Sequence, residues 1–64
     1  MDFVYVFVDV NNWEDIIIFL SKEDAIKETI KYPNARVEIF SINEEMGYTP
    51  TYNFYKNGEL FTNS

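Results

Sequence analysis

Residues Phe3 to Val10 read F-V-Y-V-F-V-D-V, and this run constrains the fold more than any other stretch of the chain. Strand side chains alternate between the two faces of a sheet. Val4, Val6, Val8 and Val10 therefore share one face, and Phe3, Tyr5 and Phe7 share the other. Neither face is polar, so such a strand needs cover on both sides. The run predicts a central strand in a sheet that one layer alone cannot bury.

The rest of the chain offers little cover. Sixty-four residues form one domain, read here as a single unit over 1–64. A domain of this size buries only about 60% of its unfolded surface. Its core rarely supplies more than roughly 3–5 kcal/mol of net stability. The chain contains no Cys and no His. Disulfides, thiolate metal sites and Cys nucleophiles are excluded, together with the commonest general base and metal ligand. Either the core is tightly packed or assembly with another chain completes it.

Punctuation along the chain marks five more elements. Asn11 to Asp15 forms a polar turn containing Trp13. Ile16 to Leu20 is a short β-branched run, and its closeness to the first strand predicts an antiparallel hairpin. Ser21 opens a helix with a near-capping-box sequence, Ser21-Lys22-Glu23-Asp24. Pro33 ends it at Tyr32. The helix carries a narrow apolar stripe of Ala25, Ile26 and Ile30, with Thr29 beside it. Arg36 to Ile42 alternates as a third strand, and Asn43 to Pro50 reads as a loop. Thr51–Tyr55 and Glu59–Thr62 form a hairpin around Asn57-Gly58, a strong turn signal. In that hairpin Phe54 faces Phe61 and Tyr55 faces Leu60.

These elements predict an α+β fold with a small antiparallel sheet. Its core is β-β-α-β in the order 2-1-3, with the first strand in the middle and one helix on one face. A right-handed crossover joins the second and third strands. The C-terminal hairpin has three destinations: extending the sheet, folding over its open face, or reaching another chain.

The smooth valine surface suits close approach of a helix at Ala25. This reading leaves Phe3, Tyr5 and Phe7 uncovered, joined by Phe40 and Ile42. The reverse facing, with the rings under the helix, leaves the valines uncovered instead. Each ring offers about 150–250 Å², so three match the largest patch of a typical monomer, about 300–600 Å². Tyr48, Tyr52, Phe54, Tyr55 and Phe61 crowd the C-terminal segment, and such residues are enriched at interfaces. Trp13 suits either a binding anchor or a lid over the core edge. The candidate protein-binding residues are Phe3, Tyr5, Phe7, Trp13, Phe40, Tyr48, Tyr52, Phe54 and Tyr55.

Other chemistries fit poorly. The formal charge of −6 disfavours nucleic acid and anionic membranes, which need Lys and Arg against phosphate. The aromatic sheet face resembles that of the RNA-recognition motif, but the basic and glycine residues of that motif are absent. Asp9, Asn11, Glu14 and Asp15 cluster oxygens without the EF-hand spacing, and Leu20 stands where its bidentate Glu belongs. Glu14-Asp15 and Glu44-Glu45 are adjacent pairs that do not converge on a substrate. No Ser, Thr or Tyr has a His to activate it. The stretch from Thr49-Pro50-Thr51 to Lys56-Asn57-Gly58 resembles the late hairpin of thioredoxin. That fold's redox cysteines and length are missing, so the likeness stops at hairpin chemistry.

The expectation is a non-enzymatic interaction protein without cofactor or metal, which binds a protein partner or itself. The alternatives are an acidic inhibitor seated in a basic nucleic-acid-binding site, or a small virion subunit. Met1-Asp2 is unlike the cationic start of a signal peptide, and no apolar run reaches membrane-span length, so a cytoplasmic location is expected. Ile, Asn, Phe, Tyr and Lys supply 7, 7, 6, 5 and 4 residues against a single Arg. That bias matches AT-rich genomes, such as those of phages, large DNA viruses and low-GC bacteria. A viral chain would act in the host cytoplasm.

Overall fold

In the computed structural model, which describes residues 2–8 and 16–62, the alternating run forms β1 over Phe3–Val8. It is followed by β2 (Ile17–Phe19), α1 (Lys22–Lys31), β3 (Arg36–Asn43), β4 (Gly47–Lys56) and β5 (Glu59–Phe61). The strands make one antiparallel sheet in the order β2-β1-β3-β4-β5. The expected 2-1-3 core is present, and the C-terminal hairpin extends it at the β3 side. In-plane pairing is the outcome that satisfies the most backbone groups, because β3 would otherwise be an edge.

The helix begins and ends where local chemistry directs. Ser21 is the N-cap: its Oγ accepts from the Asp24 amide at 3.4 Å, and its carbonyl accepts from the Ala25 amide. Glu23 and Asp24 sit at the positive end of the dipole and Lys31 at the negative end. At the far end Tyr32 leaves helical geometry (φ −125°, ψ 78°), as a residue before proline must.

Residues 43–50 are not a loop. β3 turns directly into β4, with Asn43 opposite Gly47. Asn43 Oδ1 accepts from the Glu45 amide at 3.0 Å, closing an Asx turn, and Gly47 exits it at φ 87°. Tyr48 and Thr49 then extend the strand. Pro50 is tolerated inside β4 because the ladder is broken there. Glu38 pairs with Phe54 and Phe40 with Pro50, so Ile39 alone faces Thr51, Tyr52 and Asn53. This bulge is pinned by Thr51, whose Oγ1 donates to the Ile39 carbonyl at 2.8 Å and accepts from the Asn53 amide at 3.2 Å.

The core corrects the expected facing of β1. Phe7, Ala25, Ala35, Val37, Ile39 and Tyr55 form the buried cluster, with Tyr5, Phe19 and Ile26 packed against it. The helix therefore covers the ring face of β1, and the valines look the other way. The physical reason is volume. The helix contributes Ala25 and Thr29 at the contact, both fully buried, and these are small. Large side chains from the sheet must fill the space that small helix residues leave. Phe7 does so edge-to-face against Tyr32, and Tyr5 lies tilted against Tyr55.

Thr29 also ties the helix to the last hairpin. Its Oγ1 donates to the Ile26 carbonyl at 2.6 Å and accepts from the Gly58 amide at 3.0 Å. Asn57 and Gly58 both have positive φ, 50° and 80°, as a type I′ turn requires. A Cβ at Gly58 would stand 3.1 Å from the Ile30 side chain, so the turn lies flush on the helix.

Candidate functional surface

The sheet has a covered face and an open one. The cross-strand register assigns the open side: Val4 lies opposite Phe40, Val6 opposite Glu38 and Ile18, and Val8 opposite Arg36. Further along, Ile42 lies opposite Tyr48, and Phe54 sits between Glu38 and Phe61. The only helix among the described residues packs on the opposite side. Val4 is buried among its neighbours, Val6, Val8, Phe40 and Phe54 are half-buried, and Ile18, Ile42, Tyr48 and Phe61 are exposed.

One ion pair interrupts this apolar field. Arg36 Nε lies 2.8 Å from Glu38 Oε2. The Arg36 guanidinium also sits 5.3 Å from the centre of the Phe54 ring, at a distance suited to a cation–π contact. Phe54 in turn stacks on Phe61, with centroids 5.2 Å apart and planes 13° from parallel. Arg36, Phe54 and Phe61 border a shallow recess with Val8, Asn34 and Lys56. A second recess lies on the helix side, where Phe3, Tyr5 and Leu60 line it beside Lys22 and Asn53.

The candidate binding residues thus divide. Phe7 and Tyr55 are buried in the core and Tyr5 is packed against it. Phe3 is exposed, but on the helix side of the sheet. These four are on the helix side of the sheet, where Tyr5 and Phe7 of β1 and Tyr55 of β4 fill the space under the small helix stripe. Phe40, Tyr48 and Phe54 are on it. Tyr52 is exposed at the bulge, and Trp13 lies outside the described residues. Sequence reasoning reached Val6 and Val8 as surface residues only through the reverse facing of β1, and it missed Ile18. The signal available for the valines was the smallness of Ala25 and Thr29, which calls for rings rather than valines opposite.

Tyr52 has a backbone cost. Its φ of 68° is left-handed, and 64% of the residue is exposed. A non-glycine residue pays about 1–2 kcal/mol there. Tyr52→Gly is therefore expected to raise stability by about 0.5–1 kcal/mol after the extra chain entropy of glycine is deducted. The urea midpoint measures this, and a lowered midpoint would mean that the ring contributes packing.

The open face presents apolar and aromatic side chains around one ion pair. Among the described residues, no three Asp, Glu, His or Cys side chains come together as a metal site. The oxygen-bearing residues Asp9, Asn11, Glu14 and Asp15 lie outside them. No helix among them is long and apolar enough to cross a membrane. Fold and surface together define a class: a small α+β protein with one helix over a five-stranded antiparallel sheet and an apolar, aromatic open face. Comparison with protein-family models, curated proteins and solved structures finds no match for this chain.

Proposed function

We propose that this chain is a non-enzymatic protein-interaction module that docks a protein through the helix-free face of its sheet. The observation that supports the reading is the breadth of that face: all five strands contribute apolar or aromatic side chains to it, and one Arg–Glu pair is set among them. Burying each large side chain stabilises a complex by about 1.5–3 kcal/mol before association entropy is deducted. Phe54 is the natural anchor, since it is flanked by Phe61 and by Arg36 and lies beside a recess. Aromatic and Arg residues dominate interface hot spots.

Ionic strength separates this reading from an acidic inhibitor that fills a basic nucleic-acid-binding site. At 1 M salt the screening length falls to about 3 Å, which removes charge-driven capture but leaves apolar docking in place. The expected result is a partner that stays bound in co-purification at both 0.1 M and 1 M salt. The double variant Phe40→Ser, Phe54→Ser should lose it while circular dichroism shows the fold retained. A partner lost from the wild type at high salt would favour the acidic inhibitor. Equal retention by wild type and double variant would overturn the docking face.

A further inference from the structure

The last turn holds a dipeptide that can rewrite its own backbone. Asn57 is the only Asn followed by Gly. A glycine nitrogen, with no Cβ beside it, is the least hindered amide to attack the preceding side chain. Asn57 is also exposed to water. The fold holds the reacting atoms apart in two ways. First, Asn57 and Gly58 have φ of 50° and 80°, as in a type I′ turn. Such a turn sets ψ of its first central residue to about 30°, which swings the next nitrogen away from that residue's Cβ. Second, the Gly58 amide is occupied, donating at 3.0 Å to Thr29 Oγ1. Thr29 is fully buried, and its hydroxyl is fixed by donating to the Ile26 carbonyl at 2.6 Å. The Ile30 side chain, 3.1 Å from where a Gly58 Cβ would stand, closes the helix side of the turn.

We infer that Asn57 is a self-modification site, deamidated through a succinimide at a rate that the Thr29–Gly58 hydrogen bond holds down. This goes beyond the docking reading and stands without it. The Gly58 nitrogen gives its proton to solvent base and bonds to Asn57 Cγ, and Nδ2 leaves with a proton as ammonia. Water then opens the ring on one of its two sides. Opening at Cγ gives aspartate at position 57. Opening at the main-chain carbonyl gives isoaspartate, in which the chain runs on through the former side chain. Water is consumed and ammonia released, with no oxidant or cofactor. Attack needs the turn open and the amide released from Thr29, so the rate follows the population of that open form. The two products differ in consequence. Asp-Gly suits a type I′ turn as Asn-Gly does, so the aspartate form keeps the hairpin. Isoaspartate adds a backbone carbon to a two-residue loop, and the strands no longer meet in register. Among the described residues β5 pairs with β4 alone, through Phe54–Phe61, Tyr55–Leu60 and Lys56–Glu59. The isoaspartate form therefore loses β5 from the sheet.

Hydrogen exchange and deamidation read the same opening, since both need a free Gly58 amide. The wild type is incubated in mildly alkaline buffer, folded and in urea, and the products at position 57 are resolved by chromatography and peptide mass. The folded chain should deamidate more slowly than the unfolded one, by the factor that protects the Gly58 amide from exchange. Folded Thr29→Val should deamidate roughly 5- to 150-fold faster than folded wild type, the factor that matches a lost partner. Thr29→Ser should stay within about fourfold of wild type. All three chains should react equally in urea, where the turn is open in each. The purified isoaspartate form should lose Gly58 protection, and Asn57→Asp should keep it. If Thr29→Val fails to fold, the wild-type comparison with Gly58 exchange decides alone. Folded wild type reacting as fast as in urea, a slowing unrelated to Gly58 protection, or a folded Thr29→Val no faster than wild type would overturn the proposal.

Discussion

Phe7→Ala is expected to unfold the domain. Phe7 is buried in β1, between β2 and β3, against the helix layer and edge-to-face with Tyr32. Truncating a buried Phe typically costs about 3–5 kcal/mol, which equals the whole net stability expected of so small a core. The far-ultraviolet circular dichroism of the variant at 25 °C should be that of an unfolded chain, or its urea midpoint should fall close to zero. Val6→Ala, on the opposite face of the same strand, should cost far less, because Val6 is only half-buried. The contrast between these adjacent positions reports which face the helix covers. A folded Phe7→Ala together with an unfolded Val6→Ala would reverse the assignment. It also means that substitutions at Tyr5 and Phe7 report on folding, so tests of an interface belong at Phe40, Phe54 and Ile18.

The second large effect is expected at Thr29. Thr29→Val keeps the shape of the side chain and removes the oxygen that accepts from the Gly58 amide. The amide is then left without its partner beside the helix, at a cost of about 1–3 kcal/mol. Thr29→Ser keeps the hydroxyl and loses one methyl group, about 0.8 kcal/mol. Valine should therefore be the more damaging substitution, although it is the more apolar. Hydrogen exchange at Gly58 should accelerate in the valine variant and stay near wild type in the serine variant. Equal stability of Thr29→Val and wild type would show that the hairpin does not depend on this tie.

Thr29 and Ile30 illustrate how far sequence patterning reaches. Residues 25, 26, 29 and 30 all fall near one side of a helix at 3.6 residues per turn. Hydropathy ranks Ile30 above Thr29 for burial. In the structure Thr29 is fully buried and Ile30 is 58% exposed. The hydroxyl can enter the interior because both of its bonds are supplied there, one by the helix and one by a turn 29 residues away. No local signal announces a partner at that separation. Tyr52 is similar. Its left-handed backbone arises from the mismatch between β3 and β4, which local propensity does not register.

By itself the sequence determined what depends on neighbours in the chain. Ser21 and Pro33 bound the helix, Asn57-Gly58 sets the last hairpin with its Phe54–Phe61 and Tyr55–Leu60 pairs, and the apolar first strand takes the centre of a 2-1-3 core. Each follows from local backbone chemistry or from the demand of one strand for two neighbours. Only the tertiary structure decided which face of that strand is covered, and that the hairpin lies in the plane of the sheet. Alternation is symmetric: a strand apolar on both sides gives no preference between them. The choice falls to volume, with the small contact side chains of one helix set against rings supplied by three strands. That sum exists only once the layers have met.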